Sequence, residues 1–300
     1  MATAHDDTRS DVAASSQRPE WLTEDEYPFN VGYLGTDDER IAYVDEGTGP
    51  TLVFVHVGLW SFVWRDVIVG LRDSYRCIAI DAPATGLSGG APTDATLTRA
   101  ADSVHRVVMH LDLDDLILVL HDLGGPAALL AARRWPDKVT GIVAVNTFGW
   151  RPSGAAFRAM LAVMGSAPMR WFDVATGFLP WITSGRFGVG RHLTRTERRL
   201  FRRGVGRRGR ASFHRYMASA RHTDFEPVET SLDALATRPI LTIFGARNDP
   251  LGFQPRWAER CRSVRHESVP RGNHFPMCDA PDVVATAIRA WQQGSVAPQL

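Results

Sequence analysis

Leu116-Ile117-Leu118-Val119-Leu120-His121-Asp122-Leu123-Gly124-Gly125-Pro126 is the stretch from which this chain is best read. An apolar run of strand length, of the kind a strand buried on both faces shows, ends on an acid. Two glycines follow, and the next segment, Ala127 to Trp135, is compatible with a helix. A sharp strand-to-helix turn of this layout lifts one side chain above the edge of a parallel sheet. The small residues let the backbone turn tightly and bring the helix close to the strand. The raised residue is Asp122. A carboxylate with a reference pKa near 3.9 is ionised at neutral pH and needs no base to attack. It points to displacement at a saturated carbon and a covalent ester.

Working outward, strand-like and helix-like segments alternate, which predicts a mostly parallel sheet covered by helices. The expected strands are Ile41–Val44, Leu52–His56, Cys77–Ile80, Leu116–Leu120, Val139–Val145, Ile240–Phe244 and Arg265–Val269. The expected helices are Thr98–Leu111, Gly125–Trp135, Pro255–Cys261 and Asp282–Trp291. The alternation stops after Asn146 and resumes at Ile240. Residues 149–231 carry no strand pattern and read as a helical lid inserted into a core formed by 19–148 and 232–300. Residues 1–18 are polar and read as a disordered tail.

Three hundred residues suffice for one α/β core plus an insertion. A net charge of +1 gives no global drive toward nucleic acid. No run approaches the roughly 20 apolar residues of a membrane span, and the N-terminus lacks the apolar segment of a secretory signal. Cys77, Cys261 and Cys278 are few and odd in number, which fits a reducing, cytoplasmic setting.

The lid region holds one strong charge feature. Twelve arginines and a single acid, Glu197, lie between Arg186 and Arg221. Two readings are open: a solvated helical face in a chain whose only lysine is Lys138, or a surface that attracts acidic substrates or an acidic membrane. Gly204-Val205-Gly206-Arg207-Arg208-Gly209 spells GxGxxG, but no strand precedes it, so it is not a dinucleotide site. Gly86-Leu87-Ser88-Gly89-Gly90 spells GxSxG, yet its strand ends at Ile80 and Ala91-Pro92 follows. Ser88 therefore reads as a loop residue bonded locally, not a nucleophile.

An ester on Asp122 needs a base to activate water, and histidine suits that task near neutrality. His274, in Arg271-Gly272-Asn273-His274-Phe275, follows the last strand and precedes the last helix. It therefore lies at the strands' C-terminal edge, where open α/β sheets gather their catalytic groups. Asp249, in Gly245-Ala246-Arg247-Asn248-Asp249-Pro250, follows the preceding strand and is the acid expected to hold the imidazole. Asp279 and Asp282 are rival acids placed where a helix begins, so capping suits them better. His56 and His121 flank turns and read as supporting or packing residues. No metal-ligand or phosphate-loop pattern occurs, so no cofactor and no metal are expected.

With these residues in place, the chain resembles the α/β-hydrolase superfamily, in the haloalkane dehalogenase and epoxide hydrolase branch that uses an Asp nucleophile. The resemblance runs from about Glu26 to Trp291. It rests on Tyr27-Pro28-Phe29, Tyr43-Val44-Asp45-Glu46-Gly47, Trp64-Arg65, Asp81 to Ser88, His121 to Pro126, Asn146-Thr147-Phe148 and Gly272-Asn273-His274-Phe275-Pro276. It implies an α/β-hydrolase fold with a helical cap, an Asp122–Asp249–His274 triad, water as co-substrate and a small, largely apolar substrate. Asn146-Thr147 follows the sixth strand without an acid, so the variant that carries its acid there does not apply.

The departures concern the leaving group. The family usually has tryptophan after the nucleophile, where this chain has Leu123. The family's His-Gly-x-Pro turn appears as His56-Val57-Gly58-Leu59, with Gly58 in the place of the common asparagine. Only the backbone N–H groups of Gly58 and Leu123 are then expected to serve a leaving group or oxyanion. Trp60, Trp150, Trp171 or Trp181 are candidate substitute donors, with apolar packing as the alternative role. Epoxide hydrolases of this branch use two lid tyrosines, and this lid contains one, Tyr216. Haloalkane dehalogenase-like hydrolysis leads, with epoxide hydrolysis or opening of a β-lactone as alternatives. A binding protein on the same fold is the non-enzymatic reading.

Overall fold

The computed structural model describes residues 18–296 apart from Asp37 and Ser153. The expected tail lies outside the described residues, except Arg18. That arginine is anchored, its guanidinium donating to Tyr27 O at 2.8 Å and Phe29 O at 2.6 Å.

Eight strands form one sheet: β1 (Val31–Leu34), β2 (Ile41–Glu46), β3 (Thr51–His56), β4 (Arg76–Asp81), β5 (Leu116–Asp122), β6 (Val139–Thr147), β7 (Pro239–Gly245) and β8 (Ser263–Val269). Their spatial order is β1-β2-β4-β3-β5-β6-β7-β8. The first two pairings are antiparallel and the rest parallel. All seven expected strands are present, most lengthened by a residue or two. β1 was not expected, because Val31-Gly32-Tyr33-Leu34 is short and broken by a glycine. Gly32 leaves room for the Tyr43 ring on β2, which a Cβ there would have to displace.

The strands sort their side chains by alternation. Val53, Val55, Ile78, Ile80, Leu118 and Leu120 join the core on one face. Leu52, Phe54, Cys77, Ala79, Ile117 and Val119 join the core on the other. Each buried Val, Leu, Ile or Phe among them contributes roughly 1.5–3 kcal/mol through burial. Only β8 departs from this apolar character: its Arg265, His266 and Ser268 are exposed. It is the sheet's edge, where charge protects unpaired backbone.

The helices are α1 (Arg65–Leu71), α2 (Leu97–His110), α3 (Gly124–Ala132), α4 (Ala155–Met164), α5 (Ala167–Thr176), α6 (Phe178–Thr183), α7 (Arg195–His222), α8 (Glu226–Ala234), α9 (Phe253–Arg260), α10 (Pro276–Asp279) and α11 (Pro281–Val296). Residues of α1 and α11 pack in one core layer, and residues of α2, α3, α8 and α9 in the other. The segment between β6 and β7 is helical throughout its regular structure, α4 to α8.

The sequence decoys have structural explanations. Gly204 lies in α7, where a Cβ would stand 2.3 Å from the Trp60 ring, so this glycine seats the helix on the core. Gly206, at φ 48° and ψ −173°, kinks α7. Ser88 is fully buried; its hydroxyl donates to Asp81 O at 2.7 Å and accepts from Ala42 N at 2.8 Å.

An ion pair ties α7 to α1. Glu197 caps α7 reciprocally with Thr194, and its Oε1 lies 2.7 Å from Arg65 Nη2. Burial pushes the Glu197 carboxyl up, but the Thr194 hydrogen bonds and Arg65 outweigh it and hold the group below its ordinary value of 4.5. A carboxyl depressed on folding stabilises above its unfolded pKa, and the contribution is lost as pH falls through the folded one. Glu197→Gln is therefore expected to cost about 1–3 kcal/mol at pH 7. In urea titrations the gap between variant and parent should close as pH falls below about 4.5. An equal gap at pH 7 and pH 3 would show that the carboxylate's charge is not the cause.

Candidate active site

Asp122 ends β5 with φ +49°, a left-handed conformation rare for a residue with a side chain. The surrounding packing enforces it. A Cβ on Gly124 would stand 2.2 Å from Val55 O, and one on Gly125 2.1 Å from Thr147 Oγ1. The two glycines thus let α3 start directly against β3 and β6. Thr147 Oγ1 donates to Asp122 O at 2.6 Å and fixes the turn from the other side.

The loops after β7 and β8 meet above this turn. Gly245 has no room for a Cβ, which would lie 2.1 Å from Asn273 O. That close approach brings His274 to Asp122, with Nε2 3.2 Å from Oδ2. Burial pushes the Asp122 carboxyl up. The hydrogen bond and charge of His274 and the Leu123 backbone N–H outweigh it and hold the carboxyl below its usual range.

A buried histidine pair supports this arrangement. His121 Nε2 donates to the backbone oxygen of His274 at 2.8 Å, which leaves its Nδ1 to accept from His56 Nδ1 at 2.9 Å. Burial and the neighbouring His274 push His56 down to about 3, and the same causes with His56 hold His121 well below its ordinary value. Both stay neutral at physiological pH, as that donor–acceptor chain requires. The expected supporting role for His56 and His121 thus takes the form of a bridge from β3 through β5 to the His274 loop.

The third expected member sits differently. Asp249 is close by, but Oδ1 accepts from Phe253 N at 2.7 Å and Oδ2 from Gln254 N at 2.9 Å, at the start of α9. The group against the imidazole is Asn248, whose Nδ2 lies 3.2 Å from His274 Nδ1. Asn146 holds that loop, donating from Nδ2 to Asn248 O at 3.0 Å and accepting from Gly245 N at 2.8 Å. The sequence reading passed over Asn248 because it looked for a carboxylate. The available signal was its adjacency to Asp249 in the loop after β7.

A cavity of about 520 Å³ opens on these groups. Asp122, His274, Asn146, Asn248 and Asp249 supply its polar lining. Phe148, Ala156, Phe157, Met160, Phe244, Pro250, Leu251 and Phe253 make up the rest. Phe148, Phe157 and Phe253 form an aromatic cluster with centroids 5.3–5.7 Å apart.

Gly58 and Leu123 lie just beyond the paired ends of β3 and β5, outside this lining, Gly58 at φ +96°. Three candidate substrate contacts are not in the lining either, and each has a packing reason. Trp60 is buried between Tyr27 and Phe62. Trp150 packs on Phe253 and Trp257. Tyr216 is buried and donates its hydroxyl to Pro83 O at 2.9 Å. Trp171 and Trp181 stand in solvent at 72% and 65% exposure. Among the described residues no group of three or more His, Cys, Asp or Glu side chains is arranged to hold a metal.

Residues 50–281 match the model of the alpha/beta hydrolase fold family. The chain belongs to that family. Haloalkane dehalogenase 2 of Mycobacterium tuberculosis is 32% identical over 274 residues, covering 87% of this chain and 94% of the relative, which places the chain in the dehalogenase branch. The cis-3-alkyl-4-alkyloxetan-2-one decarboxylase of Shewanella oneidensis is 23% identical over 87% of this chain and 88% of its own length. In fold, the chain is similar to the epoxide hydrolase CorEH, with a TM-score of 0.73 at 20% identity, covering 89% of this chain and 99% of that one. This α/β-hydrolase is accordingly an enzyme of the hydrolase class, and among its described residues no helix is long and apolar enough to cross a membrane.

Proposed function

We propose that this hydrolase attacks carbon of a small, largely apolar substrate with Asp122, forming an ester, and that His274 then directs water onto that ester. The observation that carries the proposal is the Asp122 carboxylate itself, held ionised in an apolar cavity within 3.2 Å of an imidazole. Attack transfers the substrate carbon to Oδ and releases the leaving group with its electron pair. His274 takes a proton from water, hydroxide equivalent adds to the ester carbonyl, and Asp122 and an alcohol are regenerated. Asn248, rather than Asp249, orients the imidazole. Its amide can offer either a donor or, turned by 180°, an acceptor to Nδ1. The unpaired cysteines fit a reducing, cytoplasmic setting.

The leaving group distinguishes the readings. No Trp, Tyr, Arg, Lys, Ser or Thr lines the cavity, and both polar ends of the Asn146 amide are already bonded. A departing chloride has only amide N–H groups, the second Nδ2 hydrogens of Asn146 and Asn248 and backbone groups such as those of Gly58 and Leu123. One missing preorganised donor costs roughly 3 kcal/mol, about 100-fold in rate. Bromo- and iodoalkanes are therefore expected to exceed chloroalkanes by about that factor, and Leu123→Trp to raise chloride release. The same lack of donors favours a second reading, opening of a β-lactone, whose carboxylate leaving group delocalises its own charge. An epoxide is the harder case, because its alkoxide needs an acid.

A panel of haloalkanes, epoxides and β-lactones, with halide, diol and carbon dioxide measured separately, tests the assignment. Chloride release as fast as bromide release would overturn the donor argument. Turnover that survives Asp122→Asn would overturn the nucleophile.

A further inference from the structure

We infer that the outer face of the helical insertion docks on an anionic lipid bilayer. Residues 149–231 contain fifteen arginines and five acids. Asp173 is fully buried and bonded to His214 at 3.1 Å, Glu197 is paired with Arg65, and Asp224, Glu226 and Glu229 lie at the C-terminal end of the segment. Arg151 pairs with Asp224 and Arg191 with Asp279, but arginines outnumber acids three to one, so the segment is strongly cationic.

The same segment carries unusual apolar exposure. Among the described residues every exposed Trp or Phe lies here: Trp171 at 72%, Phe172 at 49%, Phe178 at 41%, Trp181 at 65% and Phe187 at 69%. Trp60, Trp64, Trp150 and Trp257 are by contrast fully buried, so the chain elsewhere has no difficulty hiding its indoles. The exposed rings are grouped. Phe172 and Phe178 lie 5.5 Å apart, and with Trp181 they line a surface hollow shared with Arg202 and Arg210. The Arg186 guanidinium sits over the Phe187 ring at 5.1 Å.

Exposed aromatics beside arginines form a membrane-interface composition. The indole sits at headgroup level, the phenyl rings reach the acyl boundary, and the guanidinium groups meet lipid phosphates. A second copy of this chain suits the face poorly, because a two-fold contact sets like patches opposite each other and would bring arginine against arginine. The placement also fits an apolar substrate. α4 supplies Ala156, Phe157 and Met160 to the cavity wall and runs into α5, which bears Trp171.

The test is co-sedimentation of the full chain with vesicles of phosphatidylglycerol and phosphatidylcholine in equal parts, and with vesicles of phosphatidylcholine alone. Binding to the anionic vesicles is expected, with neutral vesicles weaker by at least about fivefold, the effect of one basic side chain near a charged surface. High salt should abolish the difference. The double variant Trp171→Ser/Trp181→Ser alters only exposed side chains, and a thermal melt checks that it folds. It is expected to bind at least about tenfold more weakly. Failure to bind anionic vesicles, equal binding to both kinds, or unchanged binding by the double variant would each overturn the proposal. So would gel filtration in which the double variant turns a dimer into a monomer, since the patch would then be an interface between copies. None of these readouts depends on turnover.

Discussion

His274→Gln is expected to stop turnover while leaving the substrate's carbon attached to Asp122. The first step uses a carboxylate whose reference pKa near 3.9 leaves it ionised at neutral pH, with the Leu123 N–H and the glutamine amide in place of the imidazole to donate to it. That step needs no proton removed. The second step needs a proton taken from water, and glutamine cannot accept it. A positioned base contributes about 10²–10⁴-fold, so loss of steady-state rate should fall in that range. Mass spectrometry of the variant after exposure to a bromoalkane should find the adduct on the peptide containing Asp122. An adduct on Ser88 would overturn the assignment, although that hydroxyl is fully buried and bonded on both sides. With a substrate confirmed on the parent enzyme, absence of any adduct would do the same.

The opposite change is expected at Asn248, where substitution by aspartate should accelerate the enzyme. A neutral amide positions the imidazole but does not stabilise the imidazolium that forms as water attacks. Exchange of the carboxylate for an amide in a Ser-His-Asp triad costs about 10⁴-fold. Asn248→Asp places a carboxylate where Nδ2 now lies 3.2 Å from His274 Nδ1. A gain of at least about tenfold in ester breakdown is expected, below that 10⁴ bound. Single-turnover kinetics separate this step from ester formation, which should change little. Asp249→Asn supplies the contrast. Its carboxylate accepts the Phe253 and Gln254 amides, and asparagine accepts such amides nearly as well, so the change should cost well under about 1 kcal/mol of stability. The rate should be almost unchanged. If Asp249→Asn instead removes ester breakdown and Asn248→Asp does nothing, Asp249 is the orienting acid and its carboxylate turns from α9 during the reaction.

Much of this could be read from the chain because the decisive signals are local. The parallel strands are continuous apolar runs, a direct consequence of burial on both faces, and those from Leu52 to Phe244 appear where the sequence places them. Asp122 and its two glycines are adjacent in sequence, and the steric demand at Gly124 and Gly125 is the kind that residue type alone expresses. The position of His274 follows from topology, since a loop after a parallel strand opens on the catalytic edge. β1 and α1 escaped notice because one is short and glycine-bearing and the other carries too few turns for a period to emerge.

What only the tertiary structure decided depends on groups far apart in sequence. Whether Asn248 or Asp249 meets the imidazole turns on one residue of loop geometry, set by Asn146 about a hundred positions away. Trp60, Trp150 and Tyr216 read as candidate substrate contacts with packing as the alternative, because an aromatic residue serves both uses. Tyr27, Phe62, Trp257 and the Pro83 carbonyl commit them to packing. The arginines are likewise ambiguous in sequence, where the face a charge occupies is invisible. Residue identity constrains local backbone and burial, while the partner of a polar or aromatic side chain is set by which distant elements the fold brings together.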